Sequence, residues 1–253
     1  MHAPSDMKGK AVLVTGAASG LGRATALAFA EAGADLCIVD LNAEGLNETA
    51  ASARWLGRQV CAYPADLSKA ESCGEAVAAA VESFGRLDAL CNIAGILYFS
   101  HSTEMTQAQW DKTIAVNLSA PFFLSQAAIP HLLENHGAIV NVTSSGGVIG
   151  EAYLAAYCAA KAGLAHMTKA MAMEYIHKPI RINAVAPGGM ATGIANNMKM
   201  PDDVDFALIK RFTPLRGVVE VEDVAQTIAF LASDAARGFH GAVISIDSGI
   251  TAG

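Results

Sequence analysis

Short runs of β-branched and other apolar residues alternate with longer stretches of helical periodicity along the whole chain. AVLVT at 11–15, LCIVD at 36–40, QVCAY at 59–63, LDALCN at 87–92, AIVNVT at 138–143, IRINAVA at 180–186 and AVISI at 242–246 read as strands. Between them, 21–32, 69–84, 108–133, 153–175 and 221–231 carry the spacing of helices packed by one face. Strands this apolar belong in a sheet covered on both sides, and their alternation with helices predicts that it is parallel. Right-handed crossovers then place helices on both faces, giving a doubly wound α/β architecture of about seven strands. No linker or internal repeat divides the pattern, so 1–253 is expected to form one domain. The segment 188–216 breaks the rhythm with GGMATG, NNMKMPDD and a short apolar stretch. Such an excursion suits a lid or binding loop, and equally an ordinary surface insertion.

Composition narrows the functions this fold can carry. Hydrophobic residues make up 53% and charged residues 16% of the 253, enough to fill a core and too apolar for disorder. A formal charge of −7 with no Lys/Arg run leaves no field for a phosphate backbone, so no nucleic-acid partner is expected. Apolar runs end well before the ~18 residues of a membrane span, and MHAPSDMKGK has no signal-peptide core. The expectation is a soluble cytoplasmic protein with no membrane partner. Five scattered cysteines without CxxC spacing suggest neither a disulfide framework nor a zinc site, and the seven histidines show no metal-ligand spacing.

The first strand runs directly into TGAASGLG, with Gly16, Gly20 and Gly22 ahead of a helix-forming run. A tight glycine turn lets the backbone approach a pyrophosphate, while the helix N-terminus offers free N–H groups and partial positive charge. The spacing is GxxxGxG and no GK[ST] follows, which excludes a P-loop and only approximates the common dinucleotide pattern. Asp40 closes the second strand, where a carboxylate accepts hydrogen bonds from ribose hydroxyls and repels a 2′-phosphate. That favours NAD over NADP, with Arg23 the one nearby cation to set against it. Asp66-Leu67 and Asn92-Ile93-Ala94-Gly95 end the third and fourth strands on the same sheet edge. Taken singly, each of these acids and amides is also what a turn or helix cap uses.

A second constellation lies in YCAAK. Tyr157 and Lys161, at i and i+4, share one helix face. An ammonium beside a phenol favours the phenolate, and a fall from ~10 to about 7 needs about 4 kcal/mol. Tyr157 then serves as general base for alcohol oxidation or general acid for ketone reduction. Ser144, 13 residues earlier at the end of the fifth strand, is placed to return its hydroxyl to the same site.

T-G-x-x-x-G-x-G at 15–22, NIAG at 92–95, Asn117 in VNL, Ser144, YxxxK at 157–161 and PG at 187–188, in this order, resemble the short-chain dehydrogenase/reductase family over essentially the whole chain. The resemblance implies a Rossmann fold, a homotetramer (or homodimer) built on the helices around Asn117 and Tyr157, and NAD(P)-dependent interconversion of alcohol and carbonyl. It implies catalytic roles for Asn117, Ser144, Tyr157 and Lys161, with Lys161 also on the nicotinamide ribose and Asn117 holding a relay water. The implied cofactor set is Gly16, Ser19, Gly20, Leu21, Gly22, Asp40, Leu41, Asp66, Leu67, Asn92, Ala94, Gly95, Tyr157, Lys161, Pro187, Gly188, Met190 and Thr192. A substrate pocket is expected from Leu97, Ser144, Tyr153, Tyr157, Met190 and Ile194, with Ile96 and Tyr98 extending its apolar wall, and no metal. NIAG stands where NNAG is more frequent, and IDSG at 246–249 where a DGG turn is usual. The expected substrate is a small alcohol or ketone, hydrophobic or alicyclic, such as a hydroxysteroid. A 3-oxoacyl carrier-protein reductase is the alternative within the class. Outside it stand a dinucleotide sensor without turnover and a Rossmann-like methyltransferase, which would leave YCAAK unexplained.

Overall fold

The computed structural model describes residues 6–191, 200–214 and 216–252. Seven parallel strands form one sheet: β1 (Ala11–Thr15), β2 (Asp35–Asp40), β3 (Val60–Pro64), β4 (Ala89–Asn92), β5 (Ala138–Val142), β6 (Arg181–Pro187) and β7 (Val243–Ile246). Their order is β3-β2-β1-β4-β5-β6-β7, the doubly wound arrangement that the alternating pattern predicts. Alternate side chains of each strand enter different cores. Val12, Val14, Leu36 and Ile38 pack with α1 (Gly20–Glu31), α2 (Ala43–Trp55) and a C-terminal helix, Val221–Ala232. On the other face, Leu13, Cys37, Val39, Leu90 and Ile139 pack with α3 (Ala70–Phe84), α5 (Ala120–Glu134) and α6 (Ala155–Glu174).

Helix α2 is absent from the sequence expectation. Its buried face consists of Gly45, Leu46, Thr49, Ala50 and Ala53, with Leu46 the single large apolar residue to mark it. Asn42 caps it, accepting the Gly45 N–H at 3.1 Å. The expected helix over 108–133 is also two helices. α4 (Gln107–Ile114), started by a Thr106/Gln109 capping box, meets α5 through a π-helical turn at Ala115–Ser119. The cause lies in Pro121, whose ring nitrogen cannot donate to the carbonyl of Asn117 four residues before it. Across the sheet, the Arg181 guanidinium donates to the carbonyls of Leu231, Ala232, Ser233 and Ala236. Leu231 and Ala232 are the last residues of the Val221–Ala232 helix and Ser233 and Ala236 the turn that follows, so β6 holds that helix by its C-terminus.

Candidate active site

Strand order reverses at β1, between β2 and β4, and ligands of open α/β sheets bind outside the carboxyl ends of strands at such a point. A cleft of about 480 Å³ opens there. Its walls include Gly16, Ser19, Gly20, Leu21, Gly22, Asp40, Leu41, Asp66, Leu67, Ala94, Gly95, Ser144, Tyr157, Lys161, Pro187, Gly188 and Met190. Thus most of the residues singled out converge, from Gly16 to Met190, on one cavity, within the size range usual for small-molecule sites.

The glycine turn is a close-packed object. A Cβ on Gly22 would stand 2.0 Å from the carbonyl oxygen of Gly16, and one on Gly16 would stand 2.9 Å from the Cα of Ala94. Gly16 also has φ +70°, a left-handed conformation that glycine adopts without steric cost. Ser19 precedes α1 without a side-chain cap, so the first N–H groups of that helix remain available at the cleft. Thr15, not singled out from the sequence, ties this turn to the end of β4. Its Oγ1 accepts the N–H groups of Ile93 at 2.9 Å and Ala94 at 3.1 Å. The signal was its place as the leading T of the glycine motif.

Asp40 accepts the N–H of Ala18 on one carboxylate oxygen at 3.1 Å and that of Asn42 on the other at 3.0 Å. The carboxylate is therefore fixed at the rim beside Leu41. Arg23 is engaged elsewhere: its Nη2 donates to Ala18 O at 2.6 Å and Gly45 O at 3.2 Å, and pairs with Glu48 at 2.7 Å. Asp66 takes the N–H and hydroxyl of Ser68, which hold its carboxyl below the usual range.

At the other end of the cleft, the Ser144 hydroxyl accepts the Gly146 N–H at 3.2 Å and stands beside Tyr157 on the cleft wall. Lys161 is 3% exposed and donates from Nζ to Val142 O at 2.8 Å, 5.7 Å from the centroid of the Tyr157 ring. The ammonium thus lies over the ring instead of against the phenolic oxygen. Burial pushes Tyr157 up to about 12, the Ser144 hydroxyl opposes this, and Glu151 and Cys158 add to the rise. That is opposite to the fall expected from the i, i+4 spacing. Sharing a helix face does not fix where a four-carbon side chain ends, and Val142 O has claimed this one. Burial moves Lys161 down to about 8.

This cation carries a stability prediction. Between pH 8 and 10.5 the unfolded chain binds more protons at Lys161 than the folded one, so its burial weakens the fold fully below pH 8 and ever less above. Tyr157 acts in the opposite sense, withdrawing stability between pH 10 and 12. Lys161→Met should raise stability at pH 7 by about 2 kcal/mol, from ~3 for the charge less ~1 for the orphaned Val142 carbonyl. It should also flatten the rise from pH 8 to 10.5. Denaturant unfolding at pH 7 and 10 measures both, and a less stable variant at pH 7 would refute the assignment.

Four expected residues do not line the cleft. Asn117, fully buried in the π-turn, donates from Nδ2 to Ile96 O at 2.8 Å and accepts the Ile96 N–H at 2.9 Å. It stands just behind the wall: a Cβ on Gly95 would lie 3.0 Å from its Oδ1 and 3.5 Å from Lys161 Nζ. Asn92 turns into the sheet, where its Nδ2 meets Asn141 Oδ1 at 2.8 Å, and Asn141 in turn donates to Thr168. Leu97 lies outside the cleft, while its neighbours Ile96 and Tyr98 line it. Tyr153, at φ +67°, anchors a neighbouring segment: its hydroxyl accepts the Asp205 N–H at 2.8 Å and its ring meets His101 edge-on at 5.1 Å. Thr192 and Ile194 lie outside the described residues. Lys112 and Val116, from the α4 end and the π-turn, complete the wall and gave no local signal in the sequence.

Residues 16–251 match a family model described as Enoyl-(Acyl carrier protein) reductase. The chain is 40% identical over 251 residues to a 2,5-dichloro-2,5-cyclohexadiene-1,4-diol dehydrogenase of Sphingobium indicum, covering 98% of each. It is 38% identical over 245 residues to a 3-oxoacyl-(acyl-carrier-protein) reductase of Thermotoga maritima, covering 96% of this chain and 98% of that one. A solved short chain dehydrogenase from Burkholderia cenocepacia, in complex with NADP, superposes with a TM-score of 0.88 at 33% identity over 97% of this chain and 99% of that one. With the seven-stranded sheet and the TGxxxGxG and YxxxK motifs, these matches make the chain a member of the short-chain dehydrogenase/reductase family, an NAD(P)-dependent oxidoreductase acting on CH–OH groups.

Proposed function

We propose that the protein is an NAD-dependent dehydrogenase that interconverts a secondary alcohol and a ketone on a hydrophobic, alicyclic substrate such as a hydroxysteroid. The observation that carries this reading is the meeting of Ser144, Tyr157 and Lys161 in the same cleft whose other end holds the glycine turn and Asp40. The whole chain then works as one dinucleotide-binding domain, and Gly188 and Met190, at the start of the proposed substrate loop 188–216, line the cleft. Residues 192–199 and 215 of that loop lie outside the described residues.

The cradle fits a dinucleotide, because no side chain can occupy the space at Gly16 and Gly22 and the α1 N-terminus faces the cleft. Gly16 and 19–22 would hold its pyrophosphate, Asp40 a ribose, Asp66 and Leu67 the adenine side, and Gly95, Lys161, Pro187, Gly188 and Met190 the nicotinamide half. When bound, the nicotinamide would supply the hydride acceptor or donor and, in its oxidised form, a positive charge to the site. Ser144 holds the substrate oxygen and the Tyr157 oxygen together, and Tyr157 removes or returns the proton. Lys161 keeps its ammonium over the phenol ring, stabilising the phenolate as it forms. Asn117 fixes the backbone at Ile96, and its carbonyl, denied an α-helical donor by Pro121, holds the water that passes protons outward.

Preference for NAD rests on the fixed carboxylate of Asp40 and on the engagement of Arg23 with Glu48. An alicyclic substrate is supported by the apolar wall of Ile96, Tyr98, Val142 and Met190 and by the named substrate of the Sphingobium relative. The Thermotoga relative favours a second reading, a 3-oxoacyl carrier-protein reductase, which the −7 charge opposes because that partner is itself acidic. We further place the enzyme in the cytoplasm as a homotetramer, built on α5 and α6, where Phe122 and Met173 stand exposed. Initial rates with NAD and NADP against alicyclic alcohols, steroids, sugars, short alcohols and acyl thioesters test this. Turnover should be fastest with NAD and a ring alcohol. Preference for NADPH and an acyl thioester would replace the reading with its rival, and binding without turnover would leave a sensor.

A further inference from the structure

Two of the five cysteines are opposite each other. Cys37 on β2 and Cys61 on β3 are direct register partners in adjacent parallel strands, so their side chains leave the sheet on the same face. That face is the core under α3, where Cys37 is fully buried and Cys61 packs against the edge of the same cluster. Neighbouring strands run about 4.8 Å apart, which falls within the Cα separations of roughly 4.4–6.8 Å that a disulfide spans.

The two sulfurs differ in access. β3 is the outermost strand of the sheet, and Cys61 is half-buried there, while Cys37 has no exposed surface. We propose that Cys37 and Cys61 form an oxidation site, a dithiol that hydroperoxides convert to a cross-strand disulfide, with Cys61 the attacking thiol and Cys37 the resolving one. The neighbouring Cys37 thiol, with Ser83 and the charge of Arg54, draws Cys61 below the usual thiol range, against its burial and Glu82. Its neighbour Cys61 and its own burial hold Cys37 above that range. Access from solvent makes the outer sulfur, Cys61, the first to meet a reagent.

The chemistry balances with a hydroperoxide as the only added reagent. The Cys61 thiolate attacks the peroxide O–O bond; a sulfur–oxygen bond forms, and hydroxide (or alkoxide) leaves and takes up a proton. Cys37 then attacks the sulfenyl sulfur as its own proton departs. The sulfur–sulfur bond forms, the sulfur–oxygen bond breaks, and water is released. Two thiols have given two electrons to one peroxide. No other cysteine among the described residues has this arrangement. Cys73 and Cys91 are buried, and Cys158, half-buried beside Tyr157, is raised by burial and has no sulfur opposite it.

The test uses the full chain, reduced, freed of reductant and exposed to a small excess of hydrogen peroxide, then digested without reduction. Two of five thiols should disappear, the peptides containing Cys37 and Cys61 should be joined, and dithiothreitol should restore both. In Cys37→Ser or Cys37→Ala, dimedone should trap a sulfenic acid at Cys61. Cys61→Ser should leave Cys37 unmodified. Consumption of Cys158 ahead of Cys61, or no linked peptide from the wild-type chain, would overturn the proposal without reference to either variant. Both readouts are independent of turnover, so they stand or fall apart from the dehydrogenase reading.

Discussion

Tyr157→Phe should lower turnover by at least about 100-fold while leaving dinucleotide binding within a few-fold of the unaltered protein. The variant removes one oxygen and keeps the ring over which Lys161 lies. Its binding surface for the cofactor is therefore preserved, and the loss falls on proton transfer alone. Removing a group that acts in the transition state lowers kcat and kcat/KM together, without raising the dinucleotide dissociation constant. Steady-state rates paired with a fluorescence titration of reduced dinucleotide separate the two effects. Near-normal turnover would show that some other group handles the proton. Tyr157 stands at about 12 in the protein alone. The phenol therefore needs positive charge from its surroundings before it can act as a base near neutrality, and Ser144 already works in that direction.

Asp40→Asn should weaken NAD by about 10- to 100-fold and narrow or reverse the preference over NADP. A hydrogen bond to a charged acceptor is worth about 1.5–3 kcal/mol, and each 1.4 kcal/mol is a factor of ten. Asparagine preserves the shape at the end of β2 but removes the charge that repels a 2′-phosphate. It also keeps only one acceptor for the two N–H groups, of Ala18 and Asn42, that Asp40 now holds. Arg23 does not fill the gap, since Glu48 and two carbonyls hold it. The ratio of kcat/KM for the two cofactors reads the outcome, and an unchanged ratio would remove Asp40 from cofactor selection.

What the sequence disclosed followed from how strongly each residue type signals its place. The inner strands were legible because apolar runs buried on both faces have no other comfortable location in a water-facing chain, and the partly buried edge strands β3 and β7 because they repeat the same alternation with helices. Helix α2 was not, because Gly45, Thr49, Ala50 and Ala53 are small and Leu46 alone marks the buried face as strongly apolar. The glycine turn, Asp40 and the Ser144/Tyr157/Lys161 set were legible as strand-end chemistry, and one cleft collects them. Spacing says which face a side chain leaves from, and the partner it meets belongs to tertiary structure. Hence Asn92 could be placed at the end of β4 but not seen to turn inward to Asn141, and Tyr153 looked like a wall residue when it anchors Asp205. Lys161 shows the same limit, sharing a face with Tyr157 while bonding Val142 O. The helix break at Asn117 could have been found, since Pro121 stands four residues later.

The central claim is hydride transfer between a ring carbinol carbon and the nicotinamide, with Tyr157 taking the proton. Its most direct test is a turnover of NAD with an alicyclic secondary alcohol carrying deuterium on the carbinol carbon, followed by mass measurement of the reduced dinucleotide. The account predicts one deuterium in the reduced cofactor, one ketone formed per cofactor reduced, and neither product with Tyr157→Phe above about a hundredth of the rate. Reduced cofactor without deuterium, or no reduction of a dinucleotide that demonstrably binds, would contradict it.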